Sequence, residues 1–578
     1  MQYQVVVFGV VLAVLMASCA PTQGPGQAPG ASSDQPTQSR TLVVAHRYEV
    51  SSLAAKALGA NGPISTTRLF NASLSLIDSD GHSRPYLVEA LPQLNTDSWR
   101  VFPDGRMETT YVLRNNLTWQ DGAPLTAEDF AFALRLYKDP NLGPFTRTPQ
   151  NQIEAVLAPD PRTLILQWES ANPNGGSLTF EDLDPLPRHL FEPLFNDYVD
   201  GRLSRDAFMS DRVWGSDYIG AGPYRLERWE AGVELQGRAF DAHVLGRPRI
   251  DRIIVRLFGD ENQAFAAVLA GGHVDYTCCS TLRFPHLVML KRDWEPAGKG
   301  TAVGTRGQSV FLFLQQRPAL VGHPALLDLQ VRRALAHAVD RQALIEGLFD
   351  GLGTPAETPV PSNVPFYPEL DRRMTKYPLD MNRASQLMGD AGFTRDAEGL
   401  FVDRERRRFH IDFAVQDGTE IERMQAILSD SWKQAGFEVR PVVVGRPVFS
   451  QLEMRHQLPG LGYALFPAQG EAAFRSSEVG TAANRWSGVN RAGWTSPEYD
   501  RLWETANATL DWTERGSYVA RLMAMVSENL PGYPLYFSQG SRSWVASLQG
   551  PAEMDSAEFG ASVRATTPYW NIQDWTFR

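Results

Sequence analysis

What most constrains this chain is a division near residue 40. Ahead of it, Val5 to Met16 is an almost unbroken apolar run. Ala17, Ser18 and Cys19 follow, and then a stretch of Pro, Gly, Gln and Ser lasting to Gln38. About a dozen apolar residues cannot cross a bilayer, which takes roughly 20. The run suits the h-region of a secretory signal ending in small residues, and residues 1–18 are expected to be that signal. Residues 19–40 have nothing to bury and are expected to act as a flexible tether. No later segment is apolar enough to span a membrane, so the body from Thr41 to Arg578 is expected to fold as an exported, water-facing protein.

At 578 residues the chain exceeds one ordinary core, and two or three lobes are expected. An apolar fraction of 43% excludes wholesale disorder. With 55 Lys and Arg against 66 Asp and Glu, the net charge is -11, and no basic stripe is present, which argues against a nucleic-acid partner. Besides Cys19 the chain has only Cys278 and Cys279, adjacent and so unable to form a disulfide of ordinary geometry. They read as two small buried apolar residues, with a strained vicinal disulfide or redox pair as the alternative.

The pattern past the tether is mixed α/β. Thr41–Ala45, Tyr111–Arg114, Thr163–Trp168, Arg249–Phe258 and Glu438–Val444 read as strands, with Asp121-Gly122 and Asp160-Pro161 as turns. Thr126 reads as an N-cap followed by Glu128 and Asp129, with Phe130, Leu134 and Tyr137 on one helical face. Gln263–Leu269 and Met424–Gln434 read as helices stopped by glycine. Val331–Phe349 reads as two helical segments, the second capped by Asp340. Tyr224 reads as core, and Arg332 and Arg333 as a solvated or salt-bridged face. His189, His273 and His337 have no metal-ligand spacing, and no metal or cofactor is expected.

These elements carry a family resemblance. The run Tyr111–Phe130, with its Leu-Thr-Trp-Gln-Asp-Gly core, closely resembles a signature of bacterial extracellular solute-binding proteins of family 5, the oligopeptide-, dipeptide- and nickel-binding receptors of ABC importers. Leu186–Leu190, Gly220–Leu226 with Trp229 and Gly232, Ala267–Tyr276, Val331–Arg341 with Gly353–Ala356, Ala435–Phe437, Asn490–Asp500 and Trp570–Trp575 continue it in order to the C-terminus. Met-Ala-Ser-Cys19 resembles a bacterial lipobox, although Met16 stands where Leu is commoner and no Lys or Arg precedes the apolar run.

The resemblance implies an α/β, two-lobed periplasmic-binding-protein-like fold (type II, cluster C) with mixed sheets, flanking helices and an extra inserted subdomain. Lobe I is expected from 41–67, 206–305 and 512–578, the inserted subdomain from 68–205, and lobe II from 306–511. It further implies an extracytoplasmic monomer, periplasmic or at the cell surface, anchored to the membrane through lipidated Cys19. That monomer would enclose a peptide or small-molecule ligand and deliver it to ABC permease transmembrane subunits. Peptide receptors of the family pair the ligand's amino group with an aspartate in a segment matching Leu461–Gly470, yet this chain has no Asp or Glu there before Glu471. An ammonium enclosed without a carboxylate is costly, so another polar organic solute is a candidate alongside a peptide. Tyr463, Phe466, Arg485, Trp486 and Asn490 are the candidate ligand-binding residues, with core packing the competing reading for Phe466 and Trp486. No Gly-x-Ser-x-Gly elbow, His-Glu-x-x-His pair or phosphate-cradling loop is present, so an enzyme is not expected. A sensory receptor of the same fold and an exported hydrolase are the alternatives.

Overall fold

The computed structural model describes residues 40–50, 52–54, 64–142, 150–180, 182–279, 281–467, 470–552 and 567–578. The expected signal, Cys19 and all but the last residue of the tether lie outside the described residues. The β-rich runs form a long mixed sheet. Its strands lie side by side in the order Glu438–Val444, His410–Gln416, Leu461–Leu465, Gly300–Leu314, Gly532–Val545, Tyr276–Thr277, Thr41–His46, Arg252–Leu257, Glu234–Ala239 and Tyr224–Glu230, with Thr354–Pro355 pairing alongside Gly532–Val545. Thr41–His46 runs parallel to Arg252–Leu257 and buries Leu42 and Val44 completely, as parallel strands covered on both faces do.

Two long antiparallel strands join the ends of this sheet. In the first half of Gly300–Leu314, residues Gly300–Arg306 pair with Gln539–Val545. In its second half, Ser309–Phe313 pair with Gly532–Phe537. The register shifts between Arg306 and Ser309 and again between Val310 and Phe311, and such bulges bend and twist a ladder locally. One apolar core, including Tyr111, Phe130, Trp168, Tyr224 and Trp575, lies towards the Tyr224–Glu230 end. The second runs from Phe265 and Leu287 through Leu312 to Leu428 and Trp432, and the third gathers Phe311, Phe313, Phe466 and Phe474 under the helix Trp512–Asn529.

Residues 99–168 form a separate four-stranded antiparallel sheet with the helix Ala127–Tyr137 packed on it. That helix begins at Thr126, whose backbone N–H donates to the Asp129 carboxylate at 2.7 Å, and Phe130, Leu134 and Tyr137 are all buried. Two of the motif segments interlock here. The Gln120 side chain accepts from the Gly220 N–H and donates to the Gly222 and Tyr224 carbonyls, while a Cβ at Gly220 or Gly222 would strike the backbone of Phe70 and Asn71. Asp121 accepts from Ala123 N–H in a turn with Gly122 at φ +93°, and Asp340 caps Arg341–Phe349.

Two expectations differ from the structure. Arg332 is buried rather than solvated, because its guanidinium donates to the carbonyls of Leu326, Leu327 and Asn529. Cys278 and Cys279 are joined as a vicinal disulfide, with Cys279 in the left-handed region at φ +59°. The helices Pro497–Ala508 and Trp512–Asn529 pack on each other. The second helix also packs on Tyr367–Arg373, so the chain turns back towards the first core only within Gly532–Val545.

Candidate functional site

Leu461–Leu465 is the strand on which the candidate site is built. It pairs with Gly300–Leu314 along its whole length on one side, and with His410–Gln416 only at Leu461 and Gly462 on the other. Beyond Gly462 that second edge is open. Side chains alternate along a strand, so Ala464 and Phe466 enter the third core while Tyr463 and Leu465 face the other way; Tyr463 is half-buried and Leu465 is 44% exposed.

Where the two strands part, a small cavity opens, lined by Phe313, Gln315, Arg455, Leu458, Gly460, Gly462, Tyr463 and Arg491. Arg317 fixes its walls by donating to the carbonyls of His456, Gly480 and Arg491 and to the Gln315 amide oxygen, whose own amide donates to His456 and Leu458. Gly493, at φ +70°, leaves room for this side chain: a Cβ there would meet it at 2.5 Å. The effect is to hold Arg455 and Arg491 close together. Burial brings the Arg491 guanidinium down to about 10, helped by the charge of Arg455, and burial lowers Arg455 as well. Arg455 Nε donates to the Phe449 carbonyl, and Arg491 lies 5.8 Å from the centre of the Phe313 ring. Neither guanidinium has a carboxylate within ion-pair distance among the described residues.

The nearest acid in sequence is committed elsewhere. Glu471 and Arg515 form an ion pair at 2.7 Å with side chains only 3% and 2% exposed, and Arg515 also donates to the Ala506 carbonyl. A second cavity between Trp512–Asn529 and Gly532–Val545 contains Arg341, but that guanidinium donates to the carbonyls of Ala356, Pro534 and Tyr377.

On its other side Tyr463 lies within electrostatic reach of Tyr536, whose hydroxyl bonds the Glu420 carboxylate. Burial raises Glu420, and the charge of Arg283, at the start of the helix Phe284–Met289, opposes that shift.

The sequence candidates divide accordingly. Tyr463 lines the cavity. Phe466 is 3% exposed within the third core. Asn490 is fully buried and clamps its own loop, donating to Arg475 and Trp494 carbonyls and accepting from Gly493 N–H. Arg485 is exposed, and Trp486 packs its ring 6.1 Å from that of His456, next to Arg455. Arg455, Arg491 and Leu465 escaped the sequence reading; the one local cue was the position of Arg491 directly after Asn490. Among the described residues, two clusters have donor atoms close enough for a metal. In one, His46 meets Cys278 and Cys279, whose sulfurs are bonded to each other; in the other, Asp78, Asp80 and His82, the Asp78 carboxylate is held by Arg84.

The fold is that of a two-lobed binding protein. The family described as bacterial extracellular solute-binding proteins, family 5 Middle, matches residues 89–473, and the chain belongs to it. Protein XP55 of Streptomyces lividans is 26% identical over 66% of this chain and 62% of its own length, so the match spans under two thirds of that relative. The oligopeptide-binding protein AppA of Bacillus subtilis is 20% identical over 93% of this chain and 94% of its own. Among solved structures, the oligopeptide-binding protein of Thermus thermophilus complexed with a pentapeptide aligns with a TM-score of 0.73, at 20% identity over 93% of this chain and 96% of that one. Among the described residues no helix is long and apolar enough to cross a membrane.

Proposed function

We propose that this protein is the extracytoplasmic receptor of an ABC importer, capturing a peptide or another polar organic solute between two closing lobes and handing it to a permease. The observation that carries this reading is the pair of crossing strands, whose register shifts at Arg306–Ser309 give the two halves a place to bend. On this reading the hinge lies near residues 306–309 and 537–539, and lobe II extends from there through the helix Trp512–Asn529. A solute touching both halves only when they are closed shifts the open–closed equilibrium by its differential affinity. Lipidation of Cys19 would keep the receptor at the membrane, and Cys19→Ala is expected to release it into the soluble fraction.

The test is a screen of peptides, sugars, metal chelates and organic acids for a rise in melting temperature, followed by small-angle scattering on the hits. A binding solute is expected to reduce the radius of gyration and to be recovered chemically unchanged. A hit that is turned over, or that leaves the scattering profile as it was, refutes capture by closure.

A further inference from the structure

Cations taken out of water are stable only when paired, and an unpaired one is costly. Arg515 has Glu471, and Arg317, Arg332 and Arg341 are met by ordered carbonyls. Arg455 and Arg491, which the fold leaves part-buried, differ from these four. They share one cavity, the charge of Arg455 disfavours that of Arg491, and no carboxylate of the described residues reaches either of them. Of the two side chains, only Nε of Arg455 has a hydrogen-bond partner among the described residues, the Phe449 carbonyl. The Gln315 amide, the other strongly polar group in the wall, is already committed to His456, Leu458 and Arg317.

The geometry points to a built oxyanion site in which Arg455 and Arg491, with Tyr463 at the rim, receive a carboxylate or phosphate of the captured solute. Two planar guanidiniums suit such a group because each offers parallel N–H donors to its oxygens. Phe313 and Leu458 wall the cavity with apolar surface, so the charge–charge attraction is screened less than at an exposed site. The inference rests on the solute-capture reading and gives it a sign: the solute carries an anionic group at this end, where the family's peptide receptors are expected to hold a cation.

The test uses the full-length protein without its signal. Succinate is compared with succinamide, and glycerol 3-phosphate with glycerol, by calorimetric titration in low salt against wild type, Arg455→Gln and Arg491→Gln. The anionic member of at least one pair is expected to bind ten- to a hundredfold more tightly than its neutral partner, and to lose that preference in both variants. The pair showing the preference tells carboxylate from phosphate. Arg491→Lys should keep part of it. Stability without any ligand gives a second readout. Removing one of two uncompensated charges should leave the unliganded melting temperature unchanged or higher, whereas a structural clamp would lose stability when removed.

Equal affinity for charged and neutral members, or a clear drop in unliganded melting temperature in both variants, overturns the oxyanion site. Failure of the inference and failure of capture are separable. A neutral solute that compacts wild type and Arg491→Gln alike leaves capture standing and removes the anion, while absence of compaction by any solute screened removes capture itself.

Discussion

Glu471 is the first carboxylate after the strand that carries Tyr463, and the structure assigns it to stability rather than to ligand. Its side chain is 3% exposed, that of Arg515 is 2% exposed, and they meet at 2.7 Å. Tyr499 donates to the Glu471 carbonyl, so the pair also anchors the loop leading out of the strand. Glu471→Gln would leave the Arg515 guanidinium buried beside a neutral amide. Breaking such a pair from one side costs about 3–5 kcal/mol. The body from residue 40 to 578, at about 2.1 cal/mol/K per residue, has an unfolding entropy near 1.1 kcal/mol/K. A single cooperative transition should therefore fall by about 3–4 °C. If the half bearing Arg515 melts on its own, its smaller entropy roughly doubles that fall. Differential scanning calorimetry separates the two cases, because only one of two transitions would move. The double variant Glu471→Leu with Arg515→Met should recover most of the loss, since it leaves no unpaired charge. A single variant within about 1 °C of wild type, or a double variant as unstable as the sum of the singles, would refute the assignment.

Two further outcomes follow from packing and protonation. Gly222→Ala should destabilise by about 3 kcal/mol or prevent folding, since its Cβ meets the backbone of Phe70 and Asn71, which cannot yield; Gly389→Ala, within the helix Met381–Asp390 and with nothing within 4 Å of the added carbon, should be neutral or slightly stabilising in urea titration. His243 is satisfied as a neutral ring, its Nδ1–H donating to the Gly246 carbonyl and its Nε2 accepting from the Tyr86 hydroxyl, and burial with the charge of Arg68 holds it down to about 3 from 6.5. The unfolded chain takes up that proton first, so the contribution is complete above about pH 6.5 and is lost on acidification. Between pH 6.5 and 4.5 this amounts to about 2–3 kcal/mol, and His243→Asn should show that much less acid sensitivity in urea unfolding; an equal loss in both proteins would exclude it.

What was legible in the sequence was local. The caps at Thr126 and Asp340 and the buried face of Phe130, Leu134 and Tyr137 depend on residues within one or two helical turns of each other. Arg332 was misjudged because two of its receivers, Leu326 and Leu327, precede its helix and the third, Asn529, arrives from a helix almost two hundred residues on. The site shows the same limit in a sharper form. Alternation within a strand separates Tyr463 from Phe466 without any structure, but not which parity faces the solute. That choice is made by the ring cluster of Phe311, Phe313 and Phe474, which takes Phe466 into the third core and leaves Tyr463 against the second. The missing carboxylate is a property of one strand, whereas the two guanidiniums without an ion-pair partner among the described residues come from a helix before it and a loop after it. Because the two features arise in different segments and favour the same sign of ligand charge, a solute anchored through a cation would have to overcome both at once.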